Sequence, residues 1–346
     1  MAKKIVVIGG GPAGMETASY LATLGFEINL IEKENALGGK LNVWDRLFPT
    51  IRPADEVKDF LAKGIDLAKV NVMLNTEIEG VEKKENTYIL KTNKNENLSA
   101  DAVVIATGFD VFDARRKEEY GYRIYDNVIT SKDLEQMFRE HKPIVRFDGQ
   151  PVKRIGIVHC VGSRDEKVQN VYCSKACCIT GVKQAIEIHE ALPESQVFCF
   201  YMDLRMFGMH YEELYKKAQE EHGVQFVRGR LSEAAESKEG GVIVKVEDTL
   251  SGKPMKMSVD LLVLLVGMEP SEGTKKMGNL FGINFNENRF LKEQDEHTSS
   301  GLSAKQGVFL AGTCTSPKNI AETINDARST ALRVAGYLNN WNLEKR

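Results

Sequence analysis

The sequence predicts an α/β protein made of two dinucleotide-binding units, the second inserted into the first. Three observations predict it. A β-branched run opens the chain, Ile5-Val6-Val7-Ile8, and leads directly into Gly9-x-Gly11-x-x-Gly14. The same succession of strand, helix, strand and β-meander recurs between Arg154 and Gly267. A last strand and glycine, Val308–Gly312, follow the second set and precede a long helical segment. Together these describe two Rossmann-like units. The expected first unit is discontinuous, residues 1–147 and 290–346, and the second occupies 148–289. The crossings fall near Lys142–Lys153 and in the polar, turn-rich Met268–Gln294.

Each element has a local reason. The Ile5–Ile8 run suits a parallel strand buried on both faces. Gly9 permits a tight turn, Gly11 lets backbone approach a pyrophosphate, and Gly14 lets helix and strand pack closely. A helix pattern runs from Ala13 to Leu24, with Pro12 ahead of it and Gly25 as its terminating residue. Its N-terminus offers free N–H groups and the positive end of a dipole. The Glu27–Ile31 strand ends at Glu32, placed to accept hydrogen bonds from a ribose. Tyr88–Thr92 and Ala102–Ala106 lead to Gly108. In the second set, strands are expected at Arg154–Cys160, Gln196–Met202, Gly241–Val246 and Val259–Val266, with a helix at about Ser174–Ala191.

Composition excludes several classes. The 346 residues suffice for two cored domains, and 42% apolar with 27% charged residues is an ordinary globular mixture. With 46 basic against 49 acidic residues the net charge is −3, so neither nucleic acid nor a membrane surface is indicated. The apolar stretch Leu261–Met268 is too short to span a bilayer. The opening run is a strand and loop rather than a secretory signal. The expected setting is cytoplasmic, where structural disulfides are rare and clustered cysteines point to metal or redox chemistry.

The cysteines carry the chemistry. Cys160, Cys173, Cys177 and Cys178 read C-x12-C-x3-C-C. They stand where the second unit's phosphate loop belongs. After Cys160-Val161-Gly162 no glycine occurs until Gly181, so close approach of a pyrophosphate is not provided for, and binding of NAD(P)H there is not expected. Three readings compete. A redox disulfide lacks its C-x-x-C pair, and a bond between adjacent Cys177 and Cys178 strains the backbone. Structural zinc prefers paired C-x2–4-C knuckles. A [4Fe–4S] cluster takes one thiolate per iron and tolerates irregular spacing, so it ranks first. A plain alternative stands for Cys160, a small buried hydrophobe at a strand end. Cys199 reads as core, and Cys314 is not counted as a ligand. The six histidines show no metal-ligand spacing with one another and read as structural or exposed. Asp203 reads as a strand-end carboxylate, Arg164 as a loop or interface charge, and Met206, Phe207 and Met209 as a patch suited to a partner or to the core.

Two resemblances add to this. Leu37-Gly38-Gly39-Lys40, Val103–Gly108 and Val308–Gly312, with the opening fingerprint, resemble flavoproteins of the glutathione reductase and thioredoxin reductase type. That likeness implies bound FAD, with Gly9, Gly11, Pro12, Ala13, Gly14, Glu32, Lys33, Gly39, Lys40, Ala106, Thr107, Gly108 and Gly312 as candidate cofactor-binding residues. The stretches Cys160–Asp165, Tyr172–Cys178, Lys183-Gln184-Ala185, Tyr201–Arg205, Phe207-Gly208 and Tyr211-Glu212-Glu213 resemble the flavin-containing A subunit of heterodisulfide reductases, as do Ala106–Asp110, Ala311-Gly312 and Pro317-Lys318. This resemblance implies a [4Fe–4S] cluster on Cys160, Cys173, Cys177 and Cys178. It also implies a catalytic Lys183 near flavin N5, where a cation favours anionic reduced flavin; without the resemblance Lys183 reads as a solvated helix lysine. The implied partners are other heterodisulfide-reductase-like subunits or an iron–sulfur electron carrier, around a homodimer core. The chain departs from the family in lacking C-x2-C-x2-C-x3-C modules and any cysteine in Phe48–Ala54, so it reads as a compact core form. A stand-alone NAD(P)H-dependent disulfide reductase and a flavin-containing zinc scaffold are the competing functions.

Overall fold

The computed structural model describes residues 3–341. The chain divides into two compact units: one comprises Met1–Asn42, Ala54–Asp110 and Glu269–Arg346, the other Val43–Pro53 and Val111–Met268. The second is thus inserted into the first.

In the first unit a five-stranded sheet runs in the order Val308–Leu310, Ala102–Ile105, Lys4–Ile8, Glu27–Ile31, Val70–Met73. Every neighbouring pair is parallel, with Val7 opposite both Leu30 and Val104. The opening strand shows why its apolar run is unbroken. Ile5 and Val7 enter one core with the Pro12–Thr23 and Ile320–Leu338 helices, while Val6 and Ile8 enter another with the Ile78–Ala100 meander and the Glu272–Phe281 helix. Side chains alternate across a sheet, so a strand covered on both faces must be apolar at every position. Each such side chain contributes about 1.5–3 kcal/mol on burial.

The second unit repeats the plan. Its parallel sheet runs Val128–Thr130, Leu261–Val266, Arg154–Val161, Gln196–Tyr201, Gln225–Arg228. Ile155 and Ile157 pack against the Cys177–Ala191 and Tyr211–Glu220 helices; Val158 packs against an antiparallel meander of Leu231–Glu236, Val242–Asp248 and Lys253–Val259. The strand Val128–Thr130 and the helix Ser131–Arg139, N-terminal to position 148, belong to this unit.

Two expected elements differ. The strand expected over Val259–Val266 is two strands, broken at Asp260. The Asp260 carboxylate accepts the N–H groups of Lys153 and Arg154, both at 2.8 Å, which turns the chain from the meander into the central sheet. The helix expected from about Ser174 begins at Cys177. Ser174 is held elsewhere by its side chain, and Lys175 has φ +59°, a left-handed conformation that cannot sit inside a right-handed helix. Among the described residues no helix is long and apolar enough to cross a membrane.

Candidate functional site

The first unit forms a cradle at the end of its opening strand. Gly9 has φ +111°, and a Cβ there would lie 2.4 Å from the Ala106 carbonyl oxygen. A Cβ on Gly14 would lie 1.8 Å from the Gly9 oxygen, so loop and helix touch backbone to backbone. Gly11 is different, since a Cβ there would meet nothing nearer than the Gly39 Cα at 4.0 Å. Its missing side chain therefore leaves open space rather than relieving an internal clash. The Pro12–Thr23 helix has Pro12 in its first turn, no side-chain cap and no acidic residue there. Open backbone, unclaimed N–H donors and a positive helix end fit a pyrophosphate.

The other candidate residues differ in how they are held. Glu32 is buried, and its carboxylate accepts the N–H of Gly10 at 2.6 Å and of Glu34 at 2.9 Å. It locks the glycine turn directly, and a carboxylate has lone pairs left for a further donor. Gly39, at φ +53°, lies against Gly11, and Gly38 donates to the Gly10 carbonyl at 2.9 Å. Lys40 reaches toward Asp110 at 3.4 Å and lies 5.7 Å over the Phe109 ring. Lys33 is exposed beside Glu34. Ala106 hydrogen-bonds to Ile8 and extends the sheet, while Thr107 and Gly108 are held by Thr274, whose hydroxyl meets Thr107 Oγ1 at 2.8 Å and the Gly108 carbonyl at 2.9 Å. Gly312, at φ +75°, abuts Ala13 and donates to Asp326 at 2.6 Å. The following helix is capped reciprocally by Asn319 and Glu322, so its first-turn donors are partly claimed.

The second unit carries the cysteines. The Arg154–Val161 strand breaks register between Val158 and Val161, and Cys160 has φ +61°. A bulge of this kind re-aims a side chain, and the left-handed conformation costs a non-glycine residue about 1–2 kcal/mol. Cys160 thereby meets the first turn of the Cys177–Ala191 helix. Its thiol is pushed up, first by the Cys177 thiol, despite an opposing interaction with Cys178. The Cys178 thiol is pushed up to about 12, chiefly by Cys160 and then by burial. Cys160, Cys177 and Cys178 are buried, Cys173 is half-buried, and all six cysteines are free thiols. Cys173 lies within electrostatic reach of Cys160 and accepts the Lys175 N–H at 3.3 Å; Cys178 accepts the Arg205 N–H at 3.4 Å. Backbone N–H groups aimed at sulfur are what a metal-bound thiolate uses.

The loop between Cys160 and Cys177 is wired in place by hydrogen bonds of its own. Ser163 and Ser174 share a hydroxyl contact at 2.9 Å, and Ser174 also accepts the Met268 N–H at 2.9 Å. Asn170 donates to the Gly162 carbonyl at 2.9 Å. Asp165 is buried between Lys117 and Arg230, each at 2.7 Å. Arg164 and Asp203, read separately from sequence, form a two-pronged ion pair. Arg164 also feels the charges of Cys160 and Cys173. Crowded thiols resist ionisation, and a bound cationic centre reverses that balance. One cysteine at a strand end, one on the wired loop and two in the first turn of a helix, with backbone N–H groups directed at two of the sulfurs, are a donor set that fits an iron–sulfur cluster. Among the described residues no three His, Cys, Asp or Glu side chains are arranged to hold a single metal ion.

Lys183 is not solvated. Its ammonium is 2% exposed, 2.5 Å from Glu135 Oε1 and 2.9 Å from Glu187 Oε2. The second contact is one of charge without hydrogen-bond alignment, since neither Glu187 oxygen has a hydrogen-bond partner. Gln184 donates to Glu135 at 2.7 Å. Glu135 has no motif around it in the sequence. Cys199 lies in the core, and Cys314 is buried against the carbonyls of Ile105 and Ala311.

Comparison with known proteins adds relatives to this geometry. A family profile described as pyridine nucleotide-disulphide oxidoreductase matches residues 3–162 and 177–331. The unmatched segment between the two blocks is the loop that carries Cys173. The chain is 31% identical, over 97% of its length, to the iron–sulfur A subunit (form 2) of the CoB–CoM heterodisulfide reductase of Methanopyrus kandleri, of which it covers 64%. It is 40% identical, over 69% of its length, to the A subunit of the H2/formate:CoB–CoM heterodisulfide, ferredoxin reductase of Methanococcus maripaludis, of which 37% is covered. The chain thus spans less than two thirds of the length of such curated relatives. Among solved structures it is similar to the thioredoxin reductase of T. acidophilum, with a TM-score of 0.66, 18% identity, and 98% of this chain and 99% of that one covered. This last likeness concerns the fold.

Proposed function

The chain belongs to the pyridine nucleotide-disulphide oxidoreductase family, and from that premise we propose that it is the FAD- and [4Fe–4S]-containing electron-transfer subunit of a heterodisulfide-reductase-like complex. FAD supplies paired-electron chemistry and the cluster single-electron chemistry when bound. Gly9, Gly11 and Gly14, the uncapped helix end and Glu32 would hold the dinucleotide in the first unit. Cys160, Cys173, Cys177 and Cys178 would hold the cluster in the second, with the N–H groups of Lys175 and Arg205 directed at two of the sulfurs. Lys183 stays in this reading as the cation proposed to favour reduced flavin, although within its own unit Glu135 and Glu187 already answer its charge. Other heterodisulfide-reductase-like subunits or an iron–sulfur carrier, around a homodimer core in the cytoplasm, would exchange the electrons.

One observation carries the reading: the segment the family profile leaves unmatched, 163–176, is the one that carries Cys173, within electrostatic reach of Cys160. Anaerobic purification with iron, sulfide and flavin assays and EPR of the reduced protein tests it. Bound FAD with about four irons and a cluster signal is the expected result. Flavin without iron, even after reconstitution, sinks the reading. The family's own description favours a second reading, a stand-alone NAD(P)H-dependent disulfide reductase. It predicts rapid bleaching of the flavin by NADH or NADPH, against which the missing C-x-x-C and phosphate-loop glycines weigh. A zinc scaffold would show zinc and no EPR signal.

A further inference from the structure

His159 immediately precedes Cys160 on the bulged strand. Its ring is 6% exposed, and neither ring nitrogen has a hydrogen-bond partner. Leaving a buried polar group unsatisfied is destabilising, so such a group calls for a partner that the fold is built to receive. The ring is held there by packing. A Cβ on Gly181, one turn along the helix from Cys178, would lie 2.5 Å from Leu265 Cδ1 and 2.7 Å from both Cε1 and Nε2 of His159. The missing side chain at Gly181 therefore leaves room for both the imidazole and Leu265. Gly181 lies one turn from Cys178, so the ring sits beside the helix turn that carries this cysteine, within interaction range of its sulfur. The two are close without forming an aligned hydrogen bond. Cys178 meanwhile contacts the Asp203 carbonyl at 3.7 Å and accepts the Arg205 N–H at 3.4 Å.

We infer that His159 is a positioning residue for the cluster: a ring N–H donates to the Cys178 sulfur once the four cysteines bind iron. The inference rests on the iron–sulfur reading above. A thiol is a weak acceptor and a metal-bound thiolate a much stronger one, so the orphaned donor gains its partner on loading. A donor to a ligating sulfur withdraws charge from the cluster and stabilises its more negative, reduced form. Gly181 is then part of the same device, because a side chain there crowds both the ring and Leu265.

The test uses the wild-type protein, labelled with nitrogen-15 at histidine, reconstituted, assayed for iron and reduced. Pulsed EPR of the reduced cluster is expected to show a weak nitrogen-15 hyperfine coupling. His159→Phe, which keeps the ring's bulk, is expected to lose that coupling and to shift the midpoint potential to more negative values. His159→Gln, which restores a side-chain N–H, is expected to bring the potential back toward wild type. An iron-loaded wild-type protein with no histidine coupling overturns the inference and leaves the cluster reading standing. A protein that takes up no iron overturns both. Equal potentials in wild type and His159→Phe likewise overturn it.

Discussion

Replacing Lys183 by Met tests a buried charge cluster of the second unit. Met matches the length of the lysine stem and removes the ammonium. Lys183, Glu135 and Glu187 are 2%, 3% and 4% exposed, so solvent screens their charges little. Without the ammonium, two carboxylates face each other with one donor, Gln184, still on Glu135. Breaking a buried ion pair from one side costs about 3–5 kcal/mol. The carboxylates can escape by binding a proton, which for an ordinary side chain at pH 7.5 costs about 4 kcal/mol, so the two routes agree. For a unit of this size each kcal/mol lowers Tm by about 2–4 °C, so Lys183→Met should melt about 6–20 °C below wild type near neutral pH. At pH 5 protonation costs only about 1 kcal/mol, and most of the deficit should vanish. The assay is thermal unfolding followed by circular dichroism at pH 5 and 7.5, with Glu135→Gln/Lys183→Met/Glu187→Gln as the charge-free control. A loss that is the same at both pH values, or that the control fails to repair, would refute the electrostatic argument and leave packing as the cause.

Other outcomes follow from the same geometry. Glu187 is pushed up to about 7, first by burial and by Glu135 against the opposing pull of Lys183 and Arg46. A carboxyl raised in the fold binds its proton more tightly folded than unfolded, so its contribution is full below about pH 4 and is lost as pH rises through 7. Wild-type Tm should therefore decline from pH 5 to 8 and that decline should flatten in Glu187→Gln, as read by melting across the range. Gly14→Ala places a Cβ 1.8 Å from the Gly9 oxygen, and the forced shift should cost about 1–3 kcal/mol in flavin affinity, a loss of about 5- to 150-fold measured by fluorescence titration of the apoprotein with FAD. Cys173→Ser should abolish the cluster's EPR signal and lower bound iron while leaving flavin content unchanged, because the cysteine lies in the second unit and the dinucleotide cradle in the first; iron assay and absorbance on one preparation check this.

Much of the fold is legible along the chain because it is local. An apolar run such as Ile5–Ile8 states that both faces of its strand are covered. The spacing of Gly9, Gly11 and Gly14 states that backbone must approach backbone, and the distances at Gly9 and Gly14 agree. The repeat of strand, helix and meander announces the second unit before any contact is known. The family resemblance, too, rests on linear stretches around Cys160, Cys173 and Cys178. What misled was capture of local groups by distant ones. Ser174 is taken by Ser163 and Met268, which moves the helix start to Cys177, and Asp260 is taken by Lys153 and Arg154, which cuts one strand into two.

By itself, then, the sequence determined the α/β class, the duplicated plan, the glycine turn and the four-cysteine insertion, all of which are written in periodicity and short-range spacing. Tertiary structure alone decided the partners of the buried charges and polar groups. Lys183 reads along the chain as a solvated helix lysine, yet lies between Glu135 and Glu187. Arg164 finds Asp203. Glu32 turns inward to Gly10 and Glu34. His159, one of six histidines without ligand spacing, is buried against Gly181 with neither ring nitrogen partnered. The physical reason is common to all four. A polar group's meaning depends on what desolvates it and what answers it, and both are set by residues brought together from separate parts of the chain.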